Sequence, residues 1–317
     1  MLAFGSCQGA VYSAAFLGML NGMGRDRGAG LTLDQTILPT LVSAEKRTWV
    51  FAWYSLVSDM GNAVGALCAV LPVLIRKIFL TDDLTSYQFS WMFYSVLCLV
   101  AGAGALCLSA RTEPPVLGQT EASLSAESRP KVFSFAALSS LDSLGGGFLS
   151  TALIGYWFFQ RFGLNEAVIA PLFFAARCAN GLSHLGAAWL AKRIGLVKTM
   201  VFTHLPSSLV LMTVPIAPNF AVAAALFLLR ETFVEMDLPT RQSYLMSIVP
   251  AYDRTAAAAL TNGVRVSAWT AGSLLAGPLM VLAGFSAPLI AGAGLKIIYD
   301  LALYRKFRGI RPPEEKF

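Results

Sequence analysis

The chain has 317 residues, of which 56% are hydrophobic and 13% charged, with a formal net charge of +6. Soluble domains average about 25% charged residues, so a single soluble globular domain is excluded, and the low charge with 11% aromatic residues excludes a disordered chain. The apolar residues fall in blocks of about 20 or more, the length that crosses roughly 30 Å of hydrocarbon as a helix.

The expected fold class is therefore an all-α polytopic membrane protein. Helical spans are expected at about 10–42, 47–75, 88–110, 132–160, 165–190, 198–216, 219–249, 255–282 and 285–304. Residues 1–9 are apolar but too few to cross alone, and no charge precedes Arg25, so a cleavable signal peptide is not expected. The stretch 111–131 is rich in Pro, Ser and Glu and reads as a linker between a helical bundle at 1–110 and one at 132–304. A polar, basic tail follows at 305–317.

Lysines and arginines concentrate in alternate connections. One side holds Lys46, Arg47, Arg129, Lys192, Arg193 and Arg254 among others, and the other only Arg76, Lys77 and Arg161. The richer side is expected to be cytoplasmic, which puts the linker and C-terminus inside the cell. Basic residues scattered in this way point to a lipid bilayer as the partner and not to nucleic acid. The five cysteines lie in apolar blocks with no CxxC pair and read as small buried hydrophobes. His184 and His204 have no metal-binding spacing, and each reads as an ordinary hydrogen-bonded side chain. No phosphate-binding glycine loop and no GxSxG are present, so neither an enzyme nor a cofactor is expected.

An internal repeat links the two halves. LTLDQTILPTLVSAEKRTWVFA begins at Leu31 and LPTRQSYLMSIVPAYDRTAAAA at Leu238. An offset of 207 aligns Gln35 with Gln242, Arg47 with Arg254, Thr48 with Thr255 and Gly65 with Gly272. Parallel repeats across a linker are one architecture of secondary transporters.

The turns SAEKRT and PAYDRT, together with GLSHLGAAWLAKRIGLVK, resemble the major facilitator superfamily. The last stretch is similar to that family's loop motif through Leu190, Arg193 and Gly195, with Ala188 in place of its first glycine and Lys192 in place of its acid. Arg47 and Arg254 occupy the matching turns after the fourth and tenth helices. The resemblance implies a two-bundle fold that begins inside the third helix, with about nine of twelve transmembrane helices and an incomplete first bundle. It also implies a multi-pass protein of a plasma or inner membrane that moves a small-molecule solute. The alternative expectation is a truncated, non-transporting partner or scaffold, or a chain that pairs with another supplying the missing helices.

In the resembled family the fourth and tenth helices help line a central cavity. Their counterparts here carry Arg25, Asp26, Arg27 and Asp34, and Arg230, Glu231, Glu235, Asp237 and Arg241. Asp237 and Arg241 are four apart and can pair, as a structural or a gating ion pair. Glu231 and Glu235 are also four apart. Unless an arginine such as Arg230 neutralises them, one is pushed toward protonation and becomes a proton-coupling group. Arg25, Asp26, Arg27, Arg230, Glu231 and Asp142, the last in SSLDSLGGGF, are the cavity candidates. Arg177 and Arg265 are expected to pair with carboxylates, and Lys296 with Asp300. Pro39 and Pro239 are expected to bend their helices.

Overall fold

The computed structural model describes residues 29–68, 70–107, 124–164 and 166–309, and every regular element among them is helical. Arg25, Asp26 and Arg27 lie outside the described residues. The first part comprises α1 (Ala29–Ile37), α2 (Arg47–Cys68), α3 (Leu71–Phe79) and α4 (Asp83–Leu106). The second comprises α5 (Ser128–Gly147), α6 (Thr151–Phe162), α7 (Glu166–Ile194), α8 (Leu196–Thr213), α9 (Phe220–Val234), α10 (Asp237–Ile248), α11 (Arg254–Ala283) and α12 (Ala287–Phe307).

Three expected spans are divided. The 47–75 span stops at Cys68, and Pro72 opens α3 in its first turn, where a missing N–H costs nothing. The 132–160 span breaks after Gly147; Ser150 then caps α6 by accepting from the Leu153 amide. The 219–249 span breaks at Glu235 and Met236 into pieces of 15 and 12 residues. Pro239 therefore lies in the first turn of a new helix and bends nothing, while Pro39 lies in a short 3-10 turn, Leu38–Thr40, that ends α1. Among the described residues, four stretches are long and apolar enough to cross a membrane: Ser128–Phe162, Leu196–Ile216, Ala251–Ala283 and Ala287–Phe307. Helix α5 starts four residues before the expected 132, and α12 extends to Phe307, inside the expected tail, with Arg305 and Lys306 in its last turn, where cations suit the helix dipole.

The repeat is realised in backbone geometry. A 3-10 turn at Ala44–Lys46 leads into α2 at Arg47, and one at Ala251–Asp253 leads into α11 at Arg254, at the same offset of 207. The residues before the two turns match as well: Ser43 has φ −64° and ψ 155°, Pro250 φ −61° and ψ 159°. Gln35 and Gln242 are both buried. Thr48 and Thr255 differ, because Thr48 is buried against the other half and Thr255 is exposed.

The second half is layered along its helices. One apolar cluster, with Phe135, Met200, Tyr244, Leu303 and Phe307, packs at the end carrying the basic turns. A second, with Phe148, Trp157, Leu211, Phe227 and Leu289, packs at the opposite end. Between them α5, α8, α10 and α12 bring Asp142, His204, Arg241, Lys296 and Asp300 into one buried polar layer. The outer surface is apolar, as hydrocarbon as solvent requires: Leu99, Val100, Leu274 and Val281 all point outward. The four described cysteines do not sit in the core. Cys98 and Cys107 are exposed and Cys68 and Cys178 half-buried, because their helices turn those faces outward.

Glycines let α5 touch its neighbours backbone to backbone. A Cβ on Gly147 would lie 2.2 Å from the Trp269 carbonyl oxygen, and one on Gly272 would lie 2.2 Å from that of Leu144. Gly145 and Gly292 meet in the same way across α5 and α12. Small residues at membrane helix contacts permit this approach. Gly272→Ala should destabilise the protein by about 1–3 kcal/mol through overpacking, read as a lower midpoint of thermal unfolding in detergent. Gly277→Ala, with nothing within 4 Å of the added carbon, should cause no such loss; equal behaviour of the two variants would refute the close-contact account.

Candidate functional site

A cavity of about 450 Å³ lies between the halves. From the first half, α1 and α2 line it with Gln35, Tyr54, Ser58 and Asp59. From the second, it is lined by Asp142, Arg230, Glu231, Glu235, Asp237 and Arg241, which the sequence had singled out. Arg177, Arg265, Trp269, His204 and Lys296 also reach it.

Asp142 is the centre of the polar layer. Its Oδ1 accepts from Lys296 Nζ at 2.6 Å and its Oδ2 from Arg241 Nη1 at 3.0 Å. The same Arg241 nitrogen donates to Asp237 Oδ2 at 2.8 Å, the expected pair one turn apart on α10. Lys296 does not pair with Asp300. Asp300 accepts from His204 Nδ1, with both oxygens at 3.0 Å, and His204 Nε2 lies 3.4 Å from Lys296 Nζ. Six side chains from α5, α8, α10 and α12 thus form one chain of hydrogen bonds, each at most 7% exposed. A charge at the bilayer centre costs about 2.5–3.5 kcal/mol on insertion scales, and pairing is what makes it tolerable.

A second group surrounds the helix break. Glu231 accepts from Arg230 and, at 2.8 Å, from Asn180 Nδ2 on α7. The arginine that could neutralise this glutamate is therefore in contact with it. Glu235 caps the end of α9 and lines the cavity. Arg177 Nη2 donates to Thr151 Oγ1 at 3.2 Å, and Arg265 Nε donates to Ser143 Oγ at 3.2 Å in place of the expected carboxylate.

Contacts between the halves lie at the cavity and beside the basic turns. His184 Nε2 and Asp59 Oδ2 are 2.7 Å apart with both side chains buried. Thr48 donates to Ser243 at 2.8 Å, Asn262 to Gln35 at 3.0 Å, and Lys192 lies 5.4 Å from the centre of the Trp49 ring. The Asp253 carboxylate of the PAYDRT turn accepts from both the amide and the hydroxyl of Ser125, at 3.2 and 2.5 Å, and so ties down the end of the linker segment. Arg254 Nε donates to the Met246 carbonyl at 3.1 Å, closing its own turn. In the α7–α8 turn Arg193 stacks 4.2 Å from the centre of Trp189, and Gly195 adopts φ +90°, which favours glycine there. Sequence reasoning missed the His184–Asp59 and His204–Asp300 pairs, since each joins residues about a hundred or more positions apart.

Removing one partner of a buried pair costs about 3–5 kcal/mol, because the other charge is left uncompensated. Asp142→Ala should therefore lower stability by about that much, and Asp142→Ala with Lys296→Met should recover part of the loss. The check is a double-mutant comparison of unfolding midpoints in detergent; additive losses would show that the two groups are not coupled.

The Major Facilitator Superfamily model matches residues 1–273. The uncharacterized membrane protein YJR124C of Saccharomyces cerevisiae is 23% identical over 329 residues, which takes in 93% of this chain and 73% of the yeast protein. In fold the chain is similar to the crystal structure of a bacterial homologue of iron transporter ferroportin in the outward-facing state. That match has a TM-score of 0.59 and 16% identity, and covers 84% of this chain but only 65% of that one. A match this distant in sequence shows the fold alone, and the family model accounts for most of the chain's length: the chain belongs to the Major Facilitator Superfamily of multi-pass membrane transporters.

Proposed function

We propose that this protein is a secondary active transporter that carries a small solute by alternating access, its two halves rocking about the central cavity. The observation that carries the reading is the cavity itself, lined from both halves and bordered by a buried charge layer. Alternating access in such folds works by gating one repeat against the other around a fixed site. The polar contacts Thr48–Ser243, beside the basic turns, and His184–Asp59, at the cavity, join the halves. With those turns cytoplasmic, this is a state closed to the inside. Opening inward would break both contacts, and the Asp237–Arg241 pair beside them would act as part of the gate.

Proton coupling is assigned to the Glu231 and Glu235 pair, with Glu235 as the proton acceptor because Arg230 contacts Glu231. Both line the cavity, at the break between α9 and α10. Discontinuous helices at a binding site expose backbone polar groups that only a cavity can satisfy. Arg25, Asp26 and Arg27 would add charge from the repeat-related helix of the first half. About nine transmembrane helices, with the linker and C-terminus inside, complete the reading.

Two solute-free experiments test this. With the native cysteines replaced by serine, Ser58→Cys reports access to the cavity by maleimide labelling from either face of proteoliposomes. A disulfide between Thr48→Cys and Ser243→Cys should abolish labelling from the inner face at least tenfold more than from the outer. Equal labelling from both faces with and without the disulfide would overturn alternating access and favour a non-transporting partner or scaffold. In the same reporter, the ratio of inner to outer labelling should depend on pH, and Glu235→Gln should flatten that dependence. An unchanged profile would remove Glu235 from proton coupling.

A further inference from the structure

Among the described residues, Arg265 is a cavity-lining cation whose fork is left open. Asp142 is taken by Lys296 and Arg241, Asp237 by Arg241, Asp300 by His204 and Glu231 by Arg230. Arg265 is half-buried on α11 and lines the cavity, yet among the described residues no carboxylate lies within ion-pair distance of it. Its Nε is anchored on Ser143. Its two terminal nitrogens make no hydrogen bond among the described residues and are not among the buried unpaired atoms, so they face the open cavity. Trp269 lies one turn further along the same helix, on the same face, and lines the same space. Its indole passes over Gly146, where an added Cβ would lie 3.5 Å from the ring. Phe173 of α7 and Phe227 of α9 supply further apolar wall.

We infer that Arg265 and Trp269 form a binding site for an organic carboxylate, the guanidinium fork taking the carboxylate and the indole the apolar body. The inference rests on the reading of this cavity as the solute site and names the solute's class. A planar guanidinium with its Nε already held presents its remaining donors as a fixed fork, which matches a carboxylate bidentately. An unpaired cation in a half-buried site gains a counter-charge when an anion binds, whereas a cationic solute would meet repulsion from both Arg265 and its neighbour Arg241. One fork beside an indole suits a monocarboxylate with an apolar body better than a small dianion such as phosphate, which needs donors on every side. The cavity volume, about 450 Å³, is within the range of small-molecule sites, roughly 300–1,000 Å³.

The test uses the full chain purified into nanodiscs, with binding read by titration calorimetry and by the shift in thermal unfolding. Benzoate is the probe, benzamide its uncharged isostere, benzylamine the cation and inorganic phosphate the apolar-free anion. Benzoate should bind about tenfold or more tightly than the other three, a difference on the scale of charge-assisted hydrogen bonds. Arg265→Gln should remove that preference, and Arg265→Lys should retain part of it. The comparison of benzoate with benzamide on the unaltered protein needs no variant, so a misfolded Arg265→Gln protein leaves the inference decidable. Equal binding of benzoate and benzamide, tighter binding of phosphate or benzylamine, or a benzoate preference unchanged in folded Arg265→Gln would overturn it. Failure here with intact switching of Ser58→Cys access removes the carboxylate and leaves the transporter, whereas failure of that switching removes the transporter on its own evidence.

Discussion

Asp142 holds two cations from two other helices, and the second half is arranged around that clamp. Lys296 arrives from α12 and Arg241 from α10, so one carboxylate fixes the positions of three helices at the level where the bilayer is least polar. Each of the three ions would be expensive alone, and together they neutralise one another only at close range. The glycines of α5 are part of the same solution. Gly145 and Gly147 bring the α5 backbone against α12 and α11, and so place the short aspartate side chain within reach of its partners. Apolar clusters above and below keep the layer dry at both ends.

The halves are joined by both packing and polar contacts. Phe51 of α2 is buried in the cluster with Phe135 and Tyr244, and Gly181 of α7 faces Leu56 and Met60 of α2. Hydrogen bonds such as Thr48–Ser243 can be exchanged for water at little net cost, about 0.5–1.5 kcal/mol each. The clamp cannot be exchanged so cheaply, so a movement between the halves would slide the packed α2–α7 faces and leave the second half intact.

How much of this could be read beforehand depended on distance along the chain. The repeat was legible because a constant offset survives substitution of most side chains: Arg47 and Arg254 both begin helices. The Asp237–Arg241 pair was legible because four residues make one turn. The same rule misled at Lys296 and Asp300, which are also four apart. There, Asp142 and His204 from other helices offered each residue its own partner, and no local pattern carries that information. The break at Glu235 and Met236 was missed because the apolar block runs through it. Its signal was Asp237 followed by Pro239, an acid and a proline in a first turn, which marks a helix start. Arg265 was expected to pair with a carboxylate because buried arginines usually do, and only the geometry shows Asp142, Asp237, Asp300 and Glu231 held by other donors.

The clamp also sets a problem of timing during synthesis. Arg241 and Lys296 follow Asp142 by 99 and 154 residues. At about 5–20 residues per second, Asp142 emerges roughly 8–30 seconds before the lysine that will hold it. Until Arg241 emerges, roughly 5–20 seconds after Asp142 at that rate, α5 has no counter-ion from these two partners, so its aspartate either crosses as the neutral acid or waits beside the insertion machinery. Assembly of the second half is then a late event, completed when α12 delivers its ammonium. A ribosome stalled before α12 would leave Asp142 with Arg241 alone, and both apolar clusters without the residues α12 contributes.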